Sequence, residues 1–223
     1  MSLKKTLIAS TAILAAGLSL SASVSAQALE TYKVKITNIT HGITFTPFLA
    51  ASHRSDVKVF EVGQAASDEV ARVAEGGDVG PLATQLDASS SVADTATTSG
   101  LLGPGESTEF ELQSQPFVSF ISIVSMLLPT NDTMVALNQA VLPGFRTAKL
   151  TYYMNAYDAG TETNSELCAD IPGPRCGGSP FSPDDSGEGY VFPSPGIHGE
   201  ADLTRARYNW GGAVAKVEIE RIR

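Results

Sequence analysis

LTYYMNAYDAGTETN, residues 150–164, is the stretch whose reading decides the fold. Up to Asn155 it is apolar or aromatic and suited to burial. From Asp158 onward its side-chain donors are carboxylates, hydroxyls and an amide. A strand that runs into such a loop sets oxygen ligands on a rigid support, so the junction reads as one wall of a calcium site at the end of a β-sandwich.

The chain around it is strand-rich. Residues 31–40 (TYKVKITNIT) alternate Tyr32, Val34 and Ile36 with Lys33 and Lys35, the period of a half-buried strand. Residues 42–49 stay apolar but carry Pro47, which predicts a bend or an edge position. Residues 108–112 alternate again, residues 117–128 are almost continuously apolar and must be buried, and Pro116 forces a turn between them. Residues 129–132 (PTND) form a polar turn. Strands over 148–156 and 213–222 complete the set.

Two short helices interrupt this pattern. Residues 67–74 have Ser67 as N-cap, Asp68 and Glu69 at the positive end of the dipole, and Gly76-Gly77 as a stop. Residues 81–86 form the second. Both read as crossovers too short to make a layer of their own. Residues 88–100 (ASSSVADTATTSG) are low in complexity and read as a mobile surface loop. No βαβ rhythm or repeat is present, so an all-β antiparallel sandwich with short crossover helices is the economical architecture. One long loop, 159–208, lacks apolar periodicity. A loop of that length in a compact domain is either pinned or functional.

The first residues read as a secretory signal peptide: Lys4 and Lys5, an apolar run over 7–20, and a small-residue cleavage site at Val24-Ser25-Ala26. The run is about 14 residues, where a membrane span needs about 20. The division expected is therefore 1–26 as signal peptide and 27–223 as one domain, periplasmic or secreted, with no transmembrane segment in the mature chain. Loss of the two lysines takes the net charge from -9 to -11. That sign argues against nucleic acid or an anionic membrane surface as partner, unless a divalent cation intervenes, and suits a soluble protein that holds cations. In an oxidising compartment, Cys168 and Cys176, with Pro172, Gly173 and Pro174 between them, most simply form a local disulfide contributing about 2–3 kcal/mol.

Calcium takes six to eight oxygens from converging loops. Glu111, Asp132 and Asp158 occupy strand-end or turn positions, Glu162 could add a fourth carboxylate, and Asn164 or a backbone carbonyl could complete the shell. From spacing alone, ordinary acidic loops explain these residues as well. Of the three histidines, His41 and His53 read as surface residues. His198 with Asp202 and a serine is the only arrangement open to a hydrolase. Trp210, the sole tryptophan, reads as a core plug at the start of the last strand.

Several short motifs occur in order: PTNDTM at 129–134, DAGTE at 158–162, PGP at 172–174, GEG at 187–189, GIHG at 196–199 and YNW at 208–210. Together they resemble the bacterial branch of the spondin-domain family. The resemblance implies a C2-like antiparallel β-sandwich, as in the N-terminal domains of F-spondin and mindin, with one calcium ion at a loop end. It also implies ligands at Glu111 in EFELQ, Asp132 in PTND and Asp158 in DAGTE. The sequence departs from the animal pattern where Thr133-Met134 follows Asp132 in place of an aromatic residue, and where Glu162 stands for a second aspartate. The function expected is an exported, non-catalytic, calcium-binding adhesion module for a protein or glycan ligand at the cell surface or in the periplasm. The alternative is a periplasmic hydrolase or carbohydrate-binding protein that uses the 159–208 loop.

Overall fold

The computed structural model describes residues 29–181 and 186–223. The signal-peptide reading, and Asp184 and Asp185 of the acidic run, lie outside the described residues. In chain order the elements are β1 (Glu30–Asn38), β2 (Thr44–Phe45), β3 (Leu49–His53), α1 (Asp68–Gly76), α2 (Gly80–Asp87), β4 (Val92–Thr97), β5 (Ser107–Ser114), β6 (Phe120–Leu128), β7 (Thr133–Val141), β8 (Lys149–Asp158), β9 (Phe192–Pro193), α3 (Arg205–Tyr208) and β10 (Ala215–Arg221). The fold is all-β.

Every strand pairing is antiparallel, along the path β4-β3-β6-β7-β8-β10-β1-β5, with β2 added to β6 and β9 to β8. The path folds back until its two edges meet. Ser52 Oγ donates to the Gln113 carbonyl at 2.6 Å, and Gln113 N–H donates to Asp94 Oδ2 at 2.7 Å. The result is a nearly closed sandwich with β4, β3, β6 and β7 facing β8, β10, β1 and β5. Tyr32, Val34 and Ile36 of β1 and Val217 and Ile219 of β10 fill its interior with Ile121, Ile123 and Leu127 of β6.

The continuous apolar run of β6 has a specific cause: the strand is covered on both sides. Ile121, Ile123 and Leu127 face the sandwich interior, while Val124 faces a second core under α1 and α2, built from Val70, Val73, Leu82 and Leu86. The helices were expected to be too short for a layer, yet together they cap the outer face of β3, β6 and β7. α1 begins as the sequence predicts, with Ser67 Oγ accepting from Val70 N–H, and Gly77 closes it in the left-handed conformation (φ 67°). Pro47 does mark a bend. It separates β2 from β3, and both pair with β6.

Further expectations change. The buried run begins at β6, Phe120–Leu128, and not at residue 117, because Phe117 lies in the turn before the strand and is exposed. Residues 92–97 are a strand, β4, where a mobile loop was expected: its side chains are small and polar, so composition hid the β-forming valine and threonines. β7 had no counterpart in the sequence reading, because its first four residues are buried on both faces and show no alternation. His53 is fully buried, its Nε2 2.8 Å from Ser122 Oγ and its Nδ1 2.7 Å from the Arg54 carbonyl, so it is an interior residue whose burial lowers its pKa. Trp210 is partly buried against the main core, as the plug reading predicts.

Candidate metal centre

Asp132 closes the turn after β6 and Asp158 is the last residue of β8; the pairing of Thr133 with Asp158 brings the two side by side. Both are completely buried. Oδ2 of Asp132 accepts from Thr161 N–H (2.7 Å), Thr161 Oγ1 (3.2 Å) and Glu162 N–H (3.0 Å). Its other oxygen, Oδ1, is buried with no hydrogen-bond partner among the described residues. Asp158 accepts from Gly160 N–H and from Asn164 Nδ2, each at 2.8 Å.

Two buried carboxylates this close strain each other electrostatically. Burial raises the Asp132 pKa above the usual carboxylate range, against the pull of the Thr161 and Glu162 hydrogen bonds. Burial and then the Asp132 charge push Asp158 up to about 7. Each would be relieved by a proton or by a cation.

Other carboxylates add to the field. Glu162 is buried on the same loop. Glu188, exposed itself, bears on both aspartates from the segment that lies across Gly160, where Gly189 N–H donates to the Gly160 carbonyl at 2.8 Å. The approach is close enough to require glycine: a Cβ on Gly160 would stand 2.4 Å from the Tyr190 carbonyl oxygen. Glu75, in the last turn of α1, hydrogen-bonds to Thr161 and feels Asp132, and burial raises its pKa. Glu75 and Glu188 were not among the predicted site residues. A carboxylate in the last turn of a helix opposes the macrodipole, and that was the available signal for Glu75. For Glu188 it was the acidic run itself.

Glu111 is not brought to this end. It is exposed on β5 opposite Lys33, which pairs with Glu220, which pairs with Lys149. Lys149 and Asp158 are the two ends of β8, so Glu111 lies roughly 30 Å along the strand direction from Asp158. The expected three-carboxylate convergence is therefore a pair. Among the described residues no three His, Cys, Asp or Glu side chains are gathered closely enough to hold a metal by themselves, so an ion bound at the pair would take the rest of its shell from amide, hydroxyl, carbonyl or water oxygens.

The long loop is pinned from inside. Glu166 is buried at φ 55° and its carboxylate accepts the N–H groups of His198, Gly199 and Glu200, while Asn131 Oδ1 takes Glu166 N–H. Cys168 and Cys176 are joined as expected. Asp202 accepts from Cys168 N–H, and the group nearest His198 Nδ1 is Glu166, at 3.9 Å, so Asp202 does not orient that imidazole.

A family model for the spondin N-terminal domain (Spondin_N) matches residues 30–168. The chain belongs to the spondin N-terminal domain family. The match spans β1 to β8 and includes Asp132, Asp158 and Glu162. The sheet of this spondin domain is completed by β10, beyond the matched residues. Spondin domains are typically extracellular, and a disulfide is consistent with that setting. No helix among the described residues is long and apolar enough to cross a membrane. No match was found among curated proteins.

Proposed function

We propose that this spondin domain is a calcium-stabilised, non-catalytic binding or adhesion module of an exported protein. The ion would be held by Asp132 and Asp158, with Glu162, Asn164 and Glu188 around it. Calcium would neutralise the pair and lock the β6–β7 turn to the end of β8. The observation that carries the reading is Asp132 Oδ1, a carboxylate oxygen buried without a hydrogen-bond partner among the described residues beside a second buried carboxylate. Leaving such a group unsatisfied costs on the order of 1–3 kcal/mol or more, and a hard cation is the ligand whose chemistry satisfies it. The family is of a non-catalytic type, which supports a binding role for a protein or glycan ligand.

The test is thermal unfolding with calcium and with chelator. At ~100 times its dissociation constant the ion contributes about 2.7 kcal/mol, which for a chain of this size raises Tm by roughly 5–10 °C. Identical melting in calcium and chelator removes the ion from the account.

A further inference from the structure

The end of the sandwich opposite the aspartate pair carries an apolar cap. Six of the thirteen large hydrophobic side chains exposed among the described residues lie there: Leu29, Phe117, Val141, Phe145, Leu150 and Ile222, at the start of β1, the β5–β6 turn, the end of β7, the β7–β8 loop, the start of β8 and the end of β10. Phe117 and Phe145 stand out, at 87% and 82% exposed.

Both rings are held out by tight turns. Val118 N–H donates to the Gln115 carbonyl at 3.0 Å, so Pro116 and Phe117 are the central residues of a turn, and Phe117 sits at φ 73°. That third position is where glycine is the default. In its place stands an aromatic residue that touches little and pays a steric cost to be there. Phe145 opens a second turn of the same kind, with Ala148 N–H donating to its carbonyl at 3.0 Å and Thr147 at φ 65° in the third position. Arg221 fixes that loop by donating from Nη1 to the Gly144 carbonyl at 2.7 Å.

The charge around the cap differs from the rest of the molecule. Glu30 is paired with Arg221 at 2.8 Å and Glu220 approaches Lys149 at 3.9 Å, while Lys33, in register with Glu111, is paired with Glu109 at 2.8 Å. Arg146, next to Phe145, has no carboxylate partner among the described ion pairs. The acidic cluster lies roughly 30 Å away at the far end of the strands, several screening lengths at physiological salt. The net charge that argues against an anionic membrane surface for the molecule as a whole therefore bears least on this end.

We propose that this cap docks the domain on an anionic phospholipid surface, with Phe117 and Phe145 entering the interface and Arg146 at the headgroups. Two rings on separate convex turns would need two matched pockets in a protein partner. A bilayer interface needs none, and aromatic rings flanked by cations partition there. The acidic end, with its ion, then points away from the membrane.

The experiment is co-sedimentation of the exported protein with vesicles of phosphatidylcholine, alone or mixed with phosphatidylglycerol. Wild type binds both, the mixed vesicles more tightly, and chelator changes neither result, which separates this surface from the calcium site. Phe117→Gly and Phe145→Ser each weaken binding about tenfold or more, Phe117→Leu with Phe145→Leu retains most of it, and Arg146→Gln removes the preference for phosphatidylglycerol. Phe117→Gly does so without lowering Tm, since it relieves a left-handed residue. The proposal is overturned if wild type stays in the supernatant, if the Phe117→Gly/Phe145→Ser double variant sediments like wild type, or if the rings instead bury in a second copy, seen as a dimer that the double variant dissolves.

Discussion

Asp158 is the residue whose chemistry most directly reports on the proposed ion. Its folded pKa is raised to about 7, so without metal the folded protein holds a proton there that the unfolded chain releases near its ordinary value of ~4. Stability from this group is therefore greatest at low pH and is lost as pH rises from ~4 towards 7. His53 acts in the opposite sense, because its lowered pKa favours the folded state as pH rises through the ordinary histidine range. Comparing wild type with Asp158→Asn cancels the histidine. In chelator the variant should melt above wild type at pH 7 and converge with it near pH 4; in calcium the order at pH 7 should reverse. Equal melting curves at all pH values would mean that the aspartate pair is not under strain. Glu166 predicts a separate effect. Glu166→Ala strands three backbone N–H groups and should cost about 2–4 kcal/mol, with hydrogen exchange at residues 198–200 accelerating first.

At the level of elements, legibility followed periodicity. β1, β5 and β10 alternate and were readable, as was α1 from its cap; Ser67→Ala should cost about 1 kcal/mol in urea unfolding, through the lost bond to Val70 N–H. β4 and β7 were unreadable for opposite reasons. β4 is a half-buried edge of small polar residues, and the first part of β7 is buried on both sides, so neither shows the contrast between faces that marks a strand. The candidate site divides in the same way. Asp132 and Asp158 sit where strands end, which the sequence marks with PTND and DAGT, and they do meet. Glu111 belongs to a motif within a strand, and only the register Glu111–Lys33–Glu220–Lys149 reveals how far that strand position lies from the loops. The pinning of the long loop by Glu166 could not be foreseen, since its partners are backbone amides more than thirty residues away.

Across the whole molecule the two ends differ: the buried acids gather at one, and the two most exposed rings, Phe117 and Phe145, at the other, with paired charges along the strands between. The Cys168–Cys176 bridge closes a short loop that seats Ile171 in the main core; Cys168→Ser/Cys176→Ser is expected to cost about 2–3 kcal/mol, read as a lower urea midpoint with unchanged slope. Removing β10 is a different matter. It is the last strand in the sequence, yet it lies in the interior of the sheet, hydrogen-bonded to β8 on one side and β1 on the other. A chain stopped at Gly212 leaves both neighbours with bare edges and a gap in the main core, and should show no cooperative melting transition. The same geometry makes β10 a keystone: β4-β3-β6-β7-β8 and β1-β5 pair without it, and only its insertion between β8 and β1 joins the two ladders into one sheet.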